Sequence, residues 1–152
     1  MRIFQICVIY LGRFFLSSIF LISSINEMLD WAGTEKYFLI SVNRWMDTFQ
    51  GSEAFSSFIT ALLPWMPWFL LVGIVFKLVG AFLLILGCHV RLGASLLILF
   101  LVPMTWIVHG FWDLPEQSKP IEMVMFMKNL SILGGLLVVL AFGKGKSFLK
   151  SD

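Results

Sequence analysis

Acidic residues are missing from the middle of every long hydrophobic run in this chain. Charged residues of both signs make up only 13% of its 152 residues, whereas a soluble domain usually carries about 25%. Hydrophobic residues account for 59%, which favours a membrane protein. The net charge of +2 and the scattered basic residues give no support for nucleic-acid binding.

Motifs for catalysis and metal binding are lacking as well. The sequence contains no nucleophile triad, phosphate-binding loop or cluster of metal ligands. Its two cysteines, Cys7 and Cys88, form no C-x-x-C redox motif. We interpret them as small apolar residues, and whether they approach each other stays open. The sequence therefore gives no direct sign of enzymatic activity.

Four long apolar runs are present, over residues 3–25, 65–87, 92–109 and 121–142. Each is close to the ~20 residues that a helix needs to cross ~30 Å of hydrocarbon. They are too long for β-strands and do not alternate. We therefore predict an all-α membrane protein, a single domain over residues 1–152 built as an antiparallel four-transmembrane-helix bundle. The first run lacks an A-x-A cleavage site, so we expect an uncleaved span.

The segment between the first two spans, residues 26–64, has a helical pattern of its own. Its apolar side chains recur at steps of three and four: Phe38, Val42, Trp45, Met46 and Phe49. This predicts an amphipathic helix over residues 34–50 that lies on the outer membrane surface or caps the bundle. Gly51-Ser52 would end it, a second helix would cover residues 53–63, and two prolines would open the second span.

Basic residues near the spans predict the orientation. They collect at the N-terminus, in the link between the second and third spans and in the C-terminal tail: Arg2, Arg91, Lys144, Lys146 and Lys150. By the positive-inside rule, both termini should be cytoplasmic. All six tryptophans fall on the opposite, outer side, where indole rings favour the headgroup region.

Three cations nevertheless lie inside the apolar runs: Arg13, Lys77 and Lys128. A charge at membrane depth is costly and usually faces a partner, a polar cavity or a ligand. At ~1.5 Å per residue, Arg13 and Lys77 share one depth, ~15 Å from the cytoplasmic edge. Lys128 lies only ~10 Å below the outer edge, so its stem can also snorkel to the surface. We expect a polar interior role for Arg13 and Lys77, structural or ligand-binding.

One face of the first span carries Tyr10, Arg13, Ser17 and Ser24. Their spacing of three, four and seven residues places them on one side of a helix. We expect this polar seam to face the bundle interior, for ligand binding or for close helix packing. The glycines of the last three spans are interpreted as packing residues.

Several ordered motifs together resemble the DoxX family of membrane proteins. They are Gly12-Arg13-Phe14-Phe15-Leu16, the run from Leu78 to Gly87 with Arg91-Leu92-Gly93-Ala94, His109-Gly110-Phe111-Trp112, Met127-Lys128-Asn129-Leu130 and Leu133-Gly134-Gly135-Leu136-Leu137. The resemblance implies a four-helix bundle in a bacterial inner membrane. That family usually has an acid at the position of Lys77 and often a lysine at that of Glu27. The exchange suggests a charge-swapped ion pair, although Glu27 falls near the outer edge.

The resemblance leaves three hypotheses for function. In the first, a non-catalytic subunit binds a small lipid-like ligand or a partner protein over a polar floor of Arg13, Lys77, His109 and Asn129, with Tyr10 and Ser17 beside it. In the second, the chain is a subunit of a thiosulfate:quinone-type oxidoreductase that docks a quinone on Arg13 or Lys77. In the third, it is a structural accessory protein. The expected partners are the lipid bilayer and a membrane protein or further copies of this chain; no catalytic residue or metal is assigned.

Overall fold

The computed structural model describes residues 2–48, 53–112 and 114–143, which are helical except for short links and contain no strand. The expected break at Gly51-Ser52 and the tail lysines Lys144, Lys146 and Lys150 lie outside the described residues. The helices are α1 (Arg2–Leu29), α2 (Trp31–Thr48), α3 (Glu53–Leu62), α4 (Met66–Leu86), α5 (Val90–Val108) and α6 (Lys119–Phe142), with a single 3-10 turn at Leu63–Trp65.

Four helical segments are long and apolar enough to cross a membrane: Ile3–Leu29, Glu53–Leu86, Val90–Val108 and Lys119–Phe142. The predicted all-α fold with four spanning helices is therefore confirmed. The boundaries follow local chemistry, since prolines occupy the first turns of α4 and α6, where their missing N–H groups cost little. Helix α4 ends because Gly87 adopts a left-handed conformation with φ +67, which favours glycine.

The spanning helices pack in the order α1, α4, α5 and α6. Gly80 and Gly93 bring the backbones of α4 and α5 into contact. A Cβ atom on Gly80 would lie 2.9 Å from the carbonyl oxygen of Gly93, and one on Gly93 would lie 2.8 Å from that of Gly80. Helices α1 and α6 share only a small contact, in which Leu16 lies against Gly135. The bundle is thus tight between α4 and α5 and loose between α1 and α6.

Two ends of the bundle serve as reference points. The α4–α5 end contains the turn from Gly87 to His89, and the α5–α6 end contains the link from His109 to Ser118. An apolar core near the α4–α5 end includes Phe20, Leu84 and Leu136. A second core of Phe38, Val42, Met66, Leu70 and Val108 lies near the α5–α6 end.

Helix α1 is offset along the bundle, toward the α4–α5 end. Glu27, near its last turn, contacts Lys77, which lies eleven residues, or ~16 Å, after the start of α4 at Met66. Helix α1 therefore stops beside the middle of α4. Helix α2 fills the remaining space, because Phe38 and Val42 pack in the core near the α5–α6 end. The predicted amphipathic helix thus packs into the bundle.

Asp30 joins α1 to α2 and accepts hydrogen bonds from the first amides of α2. Its carboxylate Oδ1 accepts the backbone N–H of Gly33 at 3.0 Å, and its backbone oxygen accepts the N–H of Thr34 at 3.0 Å. The acidic side chain thus satisfies one amide group that the first turn of a helix otherwise leaves unpaired.

Arginines bind the carboxyl ends of two spanning helices. Arg44 of α2 donates to the carbonyl oxygen of Val108 at 2.8 Å, and Arg91 of α5 donates to that of Ala141 in α6 at 3.2 Å. The last carbonyls of a helix have no partner within it, and cations are favoured at this end of the helix dipole. These contacts tie α2 to α5 and α5 to α6.

Candidate functional site

A cavity of about 870 Å³ occupies the half of the bundle near the α5–α6 end, and residues of all six helices line it. Its wall is mainly apolar and includes the core side chains Phe38, Met66 and Leu70. Phe69 and Leu99 line it as well, and more than half of each side chain is exposed. The cavity is therefore open in part to the lipid-facing surface.

Lys77 is fully buried beside this cavity, with 0% of its side chain exposed. Its ammonium group forms an ion pair with Glu27, donates to Ser23 Oγ at 3.2 Å and lies 4.7 Å from the centre of the Phe100 ring. Ser23 in turn donates to Glu27 Oε1 at 2.9 Å. The buried cation is thus surrounded by a carboxylate, a hydroxyl and an aromatic face.

The ion pair considered from the sequence is therefore present and direct. The offset of α1 places Glu27 beside the middle of α4, so neither a strong tilt nor a bridging water is needed. Glu27 and Ser23 line the cavity, and 24% of the Glu27 side chain is exposed. Lys77 stands behind them and is not part of the wall.

Arg13 lies at the other end of the bundle. Its side chain is buried, and its Nη1 lies 3.2 Å from the position that a Cβ atom on Gly87 would take. Gly87 closes the carboxyl end of α4, ten residues or ~15 Å from Lys77. The expectation that Arg13 and Lys77 share one depth is therefore not met. It assumed that Ile3 and Gly87 lie at the same cytoplasmic edge, whereas α1 is offset along the bundle and Arg13 itself lies beside Gly87.

The remaining seam residues also lie away from the cavity. Ser24 is buried and donates to the Phe20 carbonyl at 2.8 Å. Ser17 is fully buried, and its Oγ has no hydrogen-bond partner among the described residues. Tyr10 lies beside Arg13, with its ring centre 6.0 Å from the guanidinium carbon. These positions favour the packing interpretation of the seam.

Polar groups of α5 and α6 meet at the cavity wall near the α5–α6 end. His109 Nδ1 lies 2.7 Å from Glu122 Oε2, which joins the end of α5 to the start of α6. Asn129 Nδ2 donates to Thr105 Oγ1 at 3.0 Å. His109 and Asn129 both line the cavity, as the sequence-based ligand hypothesis required of them.

Tyr37 of α2 lines the same part of the cavity. Burial raises the pKa of its phenol, the Glu122 carboxylate raises it further and the Arg44 guanidinium opposes the change. A tyrosine hydroxyl is protonated at neutral pH even without this shift. Tyr37 therefore offers the cavity a hydrogen-bond donor.

Lys128 lines the cavity from α6 and is exposed. Its Nζ donates to the thioether of Met125 at 3.3 Å. Met125 lies one turn closer to the start of α6, so the lysine stem extends toward the α5–α6 end. The sequence left open whether Lys128 faces the interior or extends to the membrane surface. The structure combines both, because the extended side chain still borders the cavity.

The structure thus brings His109, Asn129 and Lys128 to the cavity and leaves Arg13, Tyr10, Ser17 and Lys77 outside its wall. The four residues expected to form one polar floor are therefore apart: His109 and Asn129 line the cavity, Lys77 lies behind Glu27, and Arg13 lies beside Gly87. Sequence reasoning missed the parts played by further residues: Ser23, Asp30, Tyr37, Thr105 and Glu122. The spacing of four between Ser23 and Glu27 was an available signal, whereas Thr105 and Glu122 required knowledge of the α5–α6 contact.

Other chemistry is sparse in the described parts of the chain. Cys7 is exposed, and both it and Cys88 are free thiols. No group of three His, Cys, Asp or Glu side chains that could hold a metal ion occurs among the residues that the structure describes. The arrangement supports binding through apolar contact and a few hydrogen bonds.

Comparison with known proteins assigns the family. The pattern of the HR-like lesion-inducing family matches residues 6–142. The chain belongs to this family. Together with the four spanning helices, this makes it an integral membrane protein in contact with the lipid bilayer.

Two curated proteins are similar to parts of this family member. The inner membrane protein YphA of Escherichia coli (strain K12) is 28% identical over 97 residues, which cover 64% of this chain and 68% of that protein. The Surfeit locus protein 4 homolog of Schizosaccharomyces pombe is 32% identical over 66 residues, 42% of this chain and 22% of that protein. No solved structure matches the chain significantly.

Proposed function

We propose that this protein is a non-catalytic membrane subunit that holds a lipid-like amphiphile in the cavity near its α5–α6 end. The cavity itself carries the proposal. Its volume of about 870 Å³ falls within the range of about 300–1,000 Å³ that is usual for small-molecule sites. Its mainly apolar wall and its few polar groups also match such sites.

The shape of the opening supports a ligand that arrives from the bilayer. Phe69 and Leu99 belong both to the cavity wall and to the exposed apolar surface. A molecule with a hydrocarbon chain can pass between these environments without entering water. Ser23, Glu27, His109 and Asn129 would then contact its polar atoms.

The cellular setting is part of the same proposal. We place the single four-span domain in the inner membrane of a bacterium, with the α4–α5 end and both termini on the cytoplasmic side. The similarity to an inner membrane protein and the basic residues near the α4–α5 end support this setting. The resemblance to the DoxX family points the same way. A partner protein or a second copy is the alternative occupant of the open side.

The test is to identify what leaves native membranes with the protein. The wild type, extracted in mild detergent, should carry a bound amphiphile that native mass spectrometry detects and lipid analysis identifies. Ile19→Trp should reduce its retention several-fold, because Ile19 lines the cavity. Ile22→Trp is the matched control, since Ile22 is outside the wall and 59% exposed. Equal retention in both variants, or an empty wild type, would contradict the proposal and favour the purely structural role.

A quinone-docking subunit is the second candidate. The observation in its favour is a cavity-lining imidazole, His109, held through Nδ1 by Glu122. This contact orients the ring and leaves Nε2 for a ligand oxygen. Arg13 and Lys77, the docking residues suggested by the sequence, are outside the wall, so His109 would take their place. Quinone in the lipid extract, and its loss in His109→Phe but not in His89→Phe, would favour this candidate; a quinone-free extract would exclude it.

A further inference from the structure

We propose that the cavity binds an anionic phospholipid, whose phosphate is held by Lys128. This inference rests on the proposed function and adds the charge of the ligand. It also assigns the residue that selects it.

The cavity wall includes two carboxylates, an imidazole and an ammonium group: Glu27, Asp30, His109 and Lys128. Three of them have a charged or strongly polar partner: Glu27 pairs with Lys77, Asp30 accepts the N–H of Gly33, and His109 contacts Glu122. Lys128 donates to the sulfur of Met125. A thioether sulfur is a weak acceptor and carries no formal charge. Within the described part of the cavity wall, Lys128 is therefore the cation that lacks a counter-charge.

Three other basic residues in the spanning helices show which groups stabilise a cation in this bundle. Lys77 has a carboxylate, Arg91 has a helix-terminal carbonyl and Arg13 lies against the carboxyl end of α4. Charges within a span are costly unless they are paired. The contrast indicates that the partner of Lys128 is supplied from outside the chain.

The position of Lys128 suits a lipid headgroup. The next residue, Asn129, contacts Thr105, three residues or ~5 Å before the end of α5 at Val108. Lys128 therefore lies close to the α5–α6 end, where headgroups meet the bundle. Asn129 uses one of its two N–H donors on Thr105, so the other can bind the same phosphate.

The rest of the cavity suits the chain of such a lipid. From Lys128 the cavity extends inward to Glu27, which contacts the middle of α4. Its wall along this path includes Phe69, Phe76 and Phe100. A phosphate beside Lys128 and an acyl chain along this aromatic wall satisfy the free charge and the apolar surface together. A free phosphate ion satisfies only the charge.

The experiment compares two lipids with identical chains. Purified protein is titrated with dioleoylphosphatidylglycerol or dioleoylphosphatidylcholine, and bound lipid is counted by native mass spectrometry. Both lipids carry a phosphate, but the trimethylammonium group of phosphatidylcholine offsets its charge and repels Lys128. The wild type should therefore prefer the anionic lipid by about tenfold. Lys128→Gln should abolish the preference and Lys128→Arg should keep it.

Matched controls separate this outcome from general charge effects. Lys119→Gln removes a lysine of the same helix that pairs with Glu116 and lies outside the cavity wall, so it should retain the preference. Lys128→Met, which keeps the apolar stem, should lose it like Lys128→Gln. Retained preference in both uncharged Lys128 variants overturns the inference, as does displacement of the lipid by inorganic phosphate alone.

The failure of this inference is distinguishable from failure of the proposed function. If the Lys128 variants bind both lipids as the wild type does while Ile19→Trp excludes them, the cavity is a lipid site in which Lys128 does not select the charge. If Ile19→Trp changes nothing, the cavity is not the site, and the assignment of Lys128 is overturned with it.

Discussion

The two halves of the bundle are built in opposite ways. Toward the α4–α5 end, glycines bring backbones together at Gly80 and Gly93 and an apolar core fills the space. Toward the α5–α6 end, α2 replaces α1 and a large cavity remains. If the proposed function is correct, packing and binding are separated along the axis of the bundle. The Glu27–Lys77 pair lies at the boundary and belongs to both.

The boundary pair gives the largest expected effect. Glu27→Gln leaves the ammonium of Lys77 buried without its counter-charge, and we expect a loss of about 3–5 kcal/mol in the free energy of unfolding. Lys77→Met combined with Glu27→Gln should recover most of this loss. Reversible unfolding in mixed micelles measures both. A single variant as stable as the wild type would show that the pair is not a link between the halves.

The tightly packed half gives the next largest effect. In Gly80→Ala, the new Cβ would lie 2.7 Å from Leu97 Cγ as well as against the Gly93 backbone, so we expect a loss of about 1–3 kcal/mol from overpacking. Gly134→Ala is the control, because nothing lies within 4 Å of its Cβ position. Similar thermal unfolding of the two variants would mean that α4 and α5 are not closely packed.

Ser17 lies in the same tightly packed half, but its replacement should maintain or raise the free energy of unfolding. Its hydroxyl is buried without a described partner, and such a group costs stability. Ser17→Ala should therefore leave the protein as stable or raise its stability by up to about 1 kcal/mol. Ser24→Ala, which removes a hydroxyl bonded to the Phe20 carbonyl, is the comparison. A clear loss in Ser17→Ala would instead indicate an ordered water at this position.

The open half should give the smallest change in stability. Lys128 is exposed, and its ammonium group donates to the weak thioether acceptor of Met125. Lys128→Gln should therefore alter the free energy of unfolding of the lipid-free protein by no more than about 0.5 kcal/mol. The thermal midpoint in detergent without added lipid checks this. A large loss would place Lys128 among the structural residues and remove the contrast with Lys77.

The spans were predictable because run length alone decides whether a helix can cross hydrocarbon. The register between helices was not, since run length does not say how far one helix is shifted against another. Arg13 shows the consequence: its expected depth took Ile3 as the cytoplasmic edge, whereas the structure places Arg13 beside Gly87. Glu27 and Lys77 were linked from their exchanged charges. The cavity could not be foreseen, because it arises from the place that α2 takes in the bundle.

Asp30 carries helical hydrogen bonding from α1 into α2. Its backbone N–H donates to the Asn26 oxygen at 2.9 Å, and its own backbone oxygen accepts the N–H of Thr34 at 3.0 Å. The same side of the bundle is therefore built by α1 in one half and by α2 in the other, where Phe38 and Val42 pack with Met66 and Leu70. One short joint thus sets the position of the cavity wall that α2 contributes.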